Sequence, residues 1–247
     1  MEISVMPSAE AIGIEAARLG GAAITEALAR RGAANIVVAT GLSQVATLER
    51  LTADPSIDWT RVTAFHLDEY VGVPANHNAS FVGYLRKRLV AATNGRARLV
   101  EIDGMATNPE AEAARLSKLL ERQEIDVCFA GIGENCHLAF NDPPADFDTA
   151  SPYLVVELDT ACRQQQVDEG WFAALEDVPK NAITMSINRI MSARKLILSV
   201  PDARKAEAVR NAVEGEVDPD HPASILQRHG NCTVLLDSQS AQFLSRS

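Results

Sequence analysis

Apolar positions along this chain change period again and again. Residues 8 to 32, "SAEAIGIEAARLGGAAITEALARRG", repeat apolar side chains at helical spacing and close on Arg30, Arg31 and Gly32, the basic turn and glycine that end a helix. "NIVVAT" (35–40) follows as a short continuous apolar run, the mark of a strand covered on both faces. The alternation continues with a helix over 44–54, a strand over 61–67, a helix over 80–92, a strand over 97–103, a helix over 108–124 and a strand over 125–133. Strand and helix in turn predict an α/β fold: a doubly wound, mostly parallel, Rossmann-like sheet with helices on both faces. Beyond Pro143 the pattern loosens. It reads as a strand over 152–159, a helix over 160–175, two strands about a short turn over 182–200, helices over 202–215 and 222–230, and a closing strand over 232–237. Residues 144–180 are irregular and rich in polar positions, so a lid is expected there. With no repeat, low-complexity tract or linker, the expectation is one domain over 1–247.

Composition narrows the function classes. A chain of 247 residues, 47% apolar, can bury a substantial core. A formal charge of -10 and a pI near 5.0, without any run of Lys and Arg, speak against a nucleic-acid partner. Cys128, Cys136, Cys162 and Cys232 show neither close pairing nor zinc spacing, and read as reduced thiols. The first residues have no basic segment followed by an apolar one, and no apolar run reaches membrane-spanning length. A soluble, cytoplasmic protein without a membrane partner is expected.

Three strand ends carry polar chemistry at the edge where doubly wound sheets bind ligands. "TGLSQ" (40–44) places Thr40, Gly41 and Ser43 between a strand and a helix, where hydroxyls and backbone N–H groups hold a phosphate or simply cap the helix. "DEYVG" (68–72) puts Asp68 and Glu69 at the tip of an apolar strand; solvated acids are the plain alternative. In "GIGENCHLAFNDP" (131–143), Gly131 and Gly133 let the backbone approach a ligand, and His137 and Asp142 are close enough to meet, unless the histidine is a satisfied core residue. A metal held by His66, Asp68 and His137 finds no HxH or HExxH spacing in support. Neither a metal nor a cofactor is expected.

In this order and spacing, "TGLSQ", "FHLDEYVGVPANHNASF" and "GIGENCHLAFNDP" resemble the glucosamine-6-phosphate deaminase/isomerase family. The likeness continues through "DVPKNAITMSINRIMSARKLILSVPDARKAEAVRNAVEG" and "PASILQRH". The 6-phosphogluconolactonases of the same superfamily read more like DER and DGHxASLFP at these places. The resemblance implies a sugar-phosphate isomerase type of sheet. It also implies ring opening of an aminosugar phosphate, proton transfer between C2 and C1, and loss of ammonia, as in aminosugar catabolism. Glucosamine 6-phosphate would then give fructose 6-phosphate. Asp68 matches the family's proton-abstracting aspartate and His137 its ring-opening histidine, supported by Asn135 and Asp142. Glu69 is expected to support the loop. Thr40, Gly41, Ser43 and Gly133 match the substrate loops, and Lys205 matches a phosphate-binding lysine.

The departures are specific. Asn135 stands where many relatives carry Asp, Asp142 where they generally carry Glu, and Cys136 where they carry Gly. "TGLSQ" lacks the usual Gly-Thr-Pro ending. The family's phosphate-binding arginine has no counterpart at its place in "CRQQQVDEGWF", and Arg163 is the nearby cation offered instead. The Arg/Lys pair that serves allosteric control in some relatives is also missing, so none is expected. Relatives run from monomers to hexamers, which keeps a homo-oligomer among the expected states. Three other readings remain open here: a lactonase-type hydrolase, an isomerase of a different sugar phosphate, and a sugar-phosphate sensor without catalysis. The sensor loses ground because no helix-turn-helix segment precedes the domain.

Overall fold

The computed structural model describes residues 1–245. The chain begins with β1 (Glu2–Met6), a strand that the hydrophobic pattern did not signal. It lies at the sheet edge with Ile3 and Val5 exposed, so it needs no strong apolar run. Helix α1 (Ala9–Arg31) starts where the Ser8 hydroxyl accepts the Ala11 N–H and stops at Gly32, whose φ of 80 lets its N–H turn back to Leu28. Gly20 in the middle of α1 weakens the helix in isolation. Packing demands it: a Cβ there would lie 2.1 Å from the Phe129 ring.

Along the chain follow β2 (Ala34–Val38), α2 (Val45–Thr52), β3 (Val62–His66), β4 (Asp68–Tyr70), α3 (Phe81–Leu85), β5 (Arg98–Val100), α4 (Pro109–Leu120) and β6 (Val127–Ala130). The later elements are β7 (Tyr153–Glu157), α5 (Thr160–Asp168), β8 (Asn181–Met185), α6 (Ile187–Met191), β9 (Leu196–Val200), α7 (Ala206–Glu214) and β10 (Cys232–Asp237). Seven strands form one sheet in the order β1-β10-β9-β6-β2-β3-β5, every pair parallel. One apolar cluster joins it to α1, α2 and α3, another to α4, α6 and α7. The expected doubly wound α/β sheet is what the chain forms.

A second, antiparallel sheet, β4-β8-β7, departs from the sequence reading. Asp68, Glu69 and Tyr70 pair with Thr184, Ile183 and Ala182, so Asp68 opens a strand of its own. The two strands expected about a turn over 182–200 are β8 and β9. They lie in different sheets and are joined by α6. The stretch expected to be irregular holds β7 and α5, and its Leu158, Cys162 and Phe172 enter a third apolar cluster with Tyr70 and Phe140. α5 stops well short of residue 175. Gly170 takes a φ of 78 and Trp171 donates its N–H to the Gln166 carbonyl. The helix expected over 222–230 is a 3₁₀ helix over Pro222–Arg228.

The Gly20–Phe129 contact is open to test. Gly20→Ala must displace a ring in a filled core, and is expected to destabilise by about 1–3 kcal/mol despite alanine's better helix propensity. Urea unfolding of the two proteins measures it. A stabilised variant would show that the helix does not rest on the ring as described.

Candidate active site

The sheet order reverses between β2 and β6: from β2 the chain moves outward to β3 and β5, then crosses to β6 and continues to β9 and β10. Such a reversal opens a crevice at the carboxyl ends of the strands. A cleft of about 190 Å³ lies there, and Thr40, Gly41, Ser43, Asp68, Gly133, His137 and Lys205 all line it. Loops after β2, β6 and β9 and the start of β4 thus converge on one cleft; the loop after β9 was not among the three strand ends read from the sequence.

Asp68 is held by backbone on both sides. The Leu67 N–H donates to the Val38 carbonyl at 3.3 Å, in the parallel sheet, and the Leu67 carbonyl accepts the Met185 N–H at 2.7 Å, in the antiparallel one. The next side chain, Asp68, is 8% exposed. Burial, with the charge of Glu69 as a smaller cause, pushes its carboxyl up to about 8. Glu69 turns elsewhere: its carboxylate accepts from Tyr70 N, Ser80 Oγ, Phe81 N and Val82 N at 2.8 to 3.2 Å. That ties the 71–80 loop and the start of α3 to β4. Burial raises Glu69 as well, against those four donors. His66, one residue before the crossing, is fully buried, and desolvation lowers its imidazole to about 4.

His137 packs flat against Gly133, where a Cβ would come 2.3 Å from the ring. Only glycine leaves it room. Its Nδ1 lies 3.1 Å from Asp142 Oδ1, which makes Asp142 the orienting carboxylate. Asp142 also accepts from Asn135 Nδ2 at 3.0 Å and from the Asp159 N–H at 3.0 Å. Burial works to raise Asp142, and these donors outweigh it, so its carboxyl sits below the ordinary range. The Asn135 amide spends its other proton on Asp159 Oδ2 at 2.9 Å, and the Asn135 carbonyl accepts the His137 N–H at 3.3 Å. Asn135 and Asp142 therefore stand behind His137, outside the cleft wall. An amide suits position 135 because it donates to two acids at once. Cys136 takes a φ of 70, a left-handed conformation that strains any side-chain-bearing residue.

At the opposite end, the β2 loop is pinned by Tyr84 Oη donating to the Gly41 carbonyl at 3.0 Å and by Gln44 Nε2 donating to the Ala130 carbonyl at 3.1 Å. Lys205 is 9% exposed, and burial lowers its ammonium. Its Nζ lies 3.7 Å from Glu134 and 3.9 Å from Glu169. Arg163 does not join this group. Its Nη2 donates to the carbonyls of Leu175 and Val178 at 2.5 and 3.0 Å, and Arg163 does not line the cleft. The cleft is completed by residues that sequence reasoning missed, among them Gln165, Glu169, Trp171 and Arg204. The one available signal was the cation beside Lys205 in "DARK".

His137, Asp142 and Cys162 bring three potential metal-ligand atoms within 4.8 Å of one another. To hold an ion they would have to give up the His137–Asp142 contact. No described helix is long and apolar enough to cross a membrane.

Residues 7–235 match the model of the glucosamine-6-phosphate isomerases/6-phosphogluconolactonase family. The chain belongs to this family. Within it, the chain is 39% identical over 210 residues to a glucosamine-6-phosphate deaminase of Exiguobacterium sibiricum, covering 85% of this chain and 81% of that one. It is 32% identical to a Lactobacillus delbrueckii subsp. bulgaricus deaminase over 99% of this chain and the whole of the other. Among solved structures, a monomeric glucosamine-6-phosphate deaminase superposes with a TM-score of 0.89 at 30% identity, over 98% of this chain and 99% of that chain. A 6-phosphogluconolactonase from Shewanella baltica superposes with a TM-score of 0.81 at 20% identity, over 96% and 97%; that likeness speaks for the shared family fold alone.

For this family member the amide at position 135 yields a prediction. Asn135→Asp would set a third carboxylate against Asp142 and Asp159 and remove both donated protons. It is expected to destabilise by about 2–4 kcal/mol at neutral pH. The new acid is raised in the folded state, so the penalty grows as pH rises above the ordinary carboxylate range and fades below it. Thermal melts across pH measure this, and a penalty independent of pH would refute the arrangement.

Proposed function

We infer that the protein converts an aminosugar phosphate, glucosamine 6-phosphate, into fructose 6-phosphate and ammonia. The observation that carries the reading is the buried Asp68 carboxyl at one side of a cleft whose other wall presents a carboxylate-backed histidine. Proton transfer between adjacent carbons needs a base that faces both and is shielded from water. Hydrolysis of a lactone needs no such group.

In this reading His137, oriented by Asp142, moves a proton at the ring oxygen and opens the sugar. Asp68 in its ionised form takes the proton from C2 and delivers it to C1 through an enediol-type intermediate. The C2 amine leaves as ammonia after water adds to the resulting imine, and the ketose remains. A substrate ammonium beside Asp68 would favour its charged form, offsetting the effect of burial. The phosphate rests on the hydroxyls and N–H groups of Thr40, Gly41 and Ser43 and on Lys205. Strong desolvation of Lys205 raises the value of each charge-assisted bond it makes.

The test is ammonia release and ketose-phosphate formation from glucosamine 6-phosphate, run beside galactosamine 6-phosphate and 6-phosphogluconolactone. Turnover of glucosamine 6-phosphate is expected, and Asp68→Asn is expected to lower kcat about 10²- to 10⁴-fold. Lactone cleavage without ammonia release, or full turnover by Asp68→Asn, would sink the reading.

A further inference from the structure

Acid outnumbers base around Lys205. Glu169 and Asp202 line this end of the cleft beside Arg204 and Lys205, and Glu134 reaches both cations from outside the lining. Glu169 is fixed in place: Gln165 Nε2 donates to its Oε1 at 2.8 Å and Trp171 Nε1 to its Oε2 at 3.1 Å. Glu134 Oε1 is buried, accepts no hydrogen bond, and stands 3.4 Å from Arg204 Nη1 and 3.7 Å from Lys205 Nζ. Lys205 alone is therefore outnumbered by two carboxylates, and a phosphate dianion approaching it would meet net repulsion. A second cation has to come forward.

Arg204 is placed to do so. Its side chain is 44% exposed and lines the cleft. At rest its Nε and Nη2 fork onto Asp202 Oδ2 at 3.1 and 2.8 Å. Asp202 is itself half-exposed, and an ion pair of that kind contributes little, so releasing it costs little. A guanidinium gripping phosphate with two parallel bonds gains more than it loses. The loop that presents it is fixed independently of the guanidinium: Asp202 accepts the Arg204 backbone N–H at 3.0 Å and donates its own N–H to Asp237 at 3.2 Å.

We propose that Arg204 is a ligand of the substrate's phosphate, which it takes up with Lys205 on leaving Asp202 and Glu134. The inference rests on the sugar-phosphate reading above and deepens it. Glu134 and Glu169 then act as brakes on phosphate affinity, and replacing one of them tightens binding.

The experiment pairs titration calorimetry of inorganic phosphate with steady-state kinetics on glucosamine 6-phosphate, for the wild type, Arg204→Ala and Glu134→Gln. In Arg204→Ala both the phosphate Kd and the KM are expected to rise about tenfold or more, with kcat nearly retained. In Glu134→Gln the phosphate Kd is expected to fall several-fold. Unaltered Kd and KM in Arg204→Ala, or a wild type that binds no phosphate, would overturn the proposal. Phosphate binding that depends on Arg204 in a protein that releases no ammonia would instead overturn the deaminase reading and leave Arg204 as an anion ligand.

Discussion

The site depends on the way the chain passes through Leu67. Its N–H belongs to the parallel sheet and its carbonyl to the antiparallel one, so one residue ties the two sheets together. The next side chain is Asp68. A carboxyl that burial drives up to about 8 would relax toward water or a donor if its backbone were free to turn. Here the backbone is held by ladder bonds to Val38, Met185 and the β8 register. Glu69 adds to the hold by drawing the 71–80 loop onto β4 with four donors. Two adjacent acids thus have separate work: one is left without donors in the cleft, and the other is saturated with them behind it.

The same division appears around His137. Asp142, Asn135 and Asp159 form a hydrogen-bonded row that sets the Asp142 carboxylate 3.1 Å from His137 Nδ1, beside an imidazole packed against Gly133. Satisfied polar groups behind, with unsatisfied ones in front, is how a fold holds reactive side chains in place without exposing them. Cys136 in its left-handed conformation is strain tolerated for that loop path, and its thiol finds the Ala208 carbonyl at 3.5 Å.

Much of this was legible in the sequence. Long periodic helices and continuous apolar strands announce a doubly wound sheet because each element's burial is written in its own residues. Three polar strand ends announced the cleft for the same reason. β4 was hidden because it is three residues long, two of them acids, and its partners lie more than a hundred positions later at 182–184. Edge strand β1 was hidden because three of its five residues face water. Arg163 was misread because a basic residue near the right place says nothing of direction, and two backbone carbonyls claim it. Arg204 was passed over for the converse reason: a charged residue on an exposed turn usually meets only solvent, and its position at the cleft follows from the β9 crossover.

The central claim is that the fold holds Asp68 as a buried, strongly raised carboxyl. The most direct measurement is folding stability of the wild type against Asp68→Asn between about pH 4 and pH 9. The folded wild type keeps a proton that the unfolded chain releases, from its ordinary value of 3.8 up to about 8. Wild-type stability should therefore fall relative to the variant as pH rises through that window, by up to about 1.4 kcal/mol per pH unit, and the difference should level off above it. A stability difference that stays flat with pH would mean an ordinary, solvated carboxylate, and the mount described here would have no base to hold.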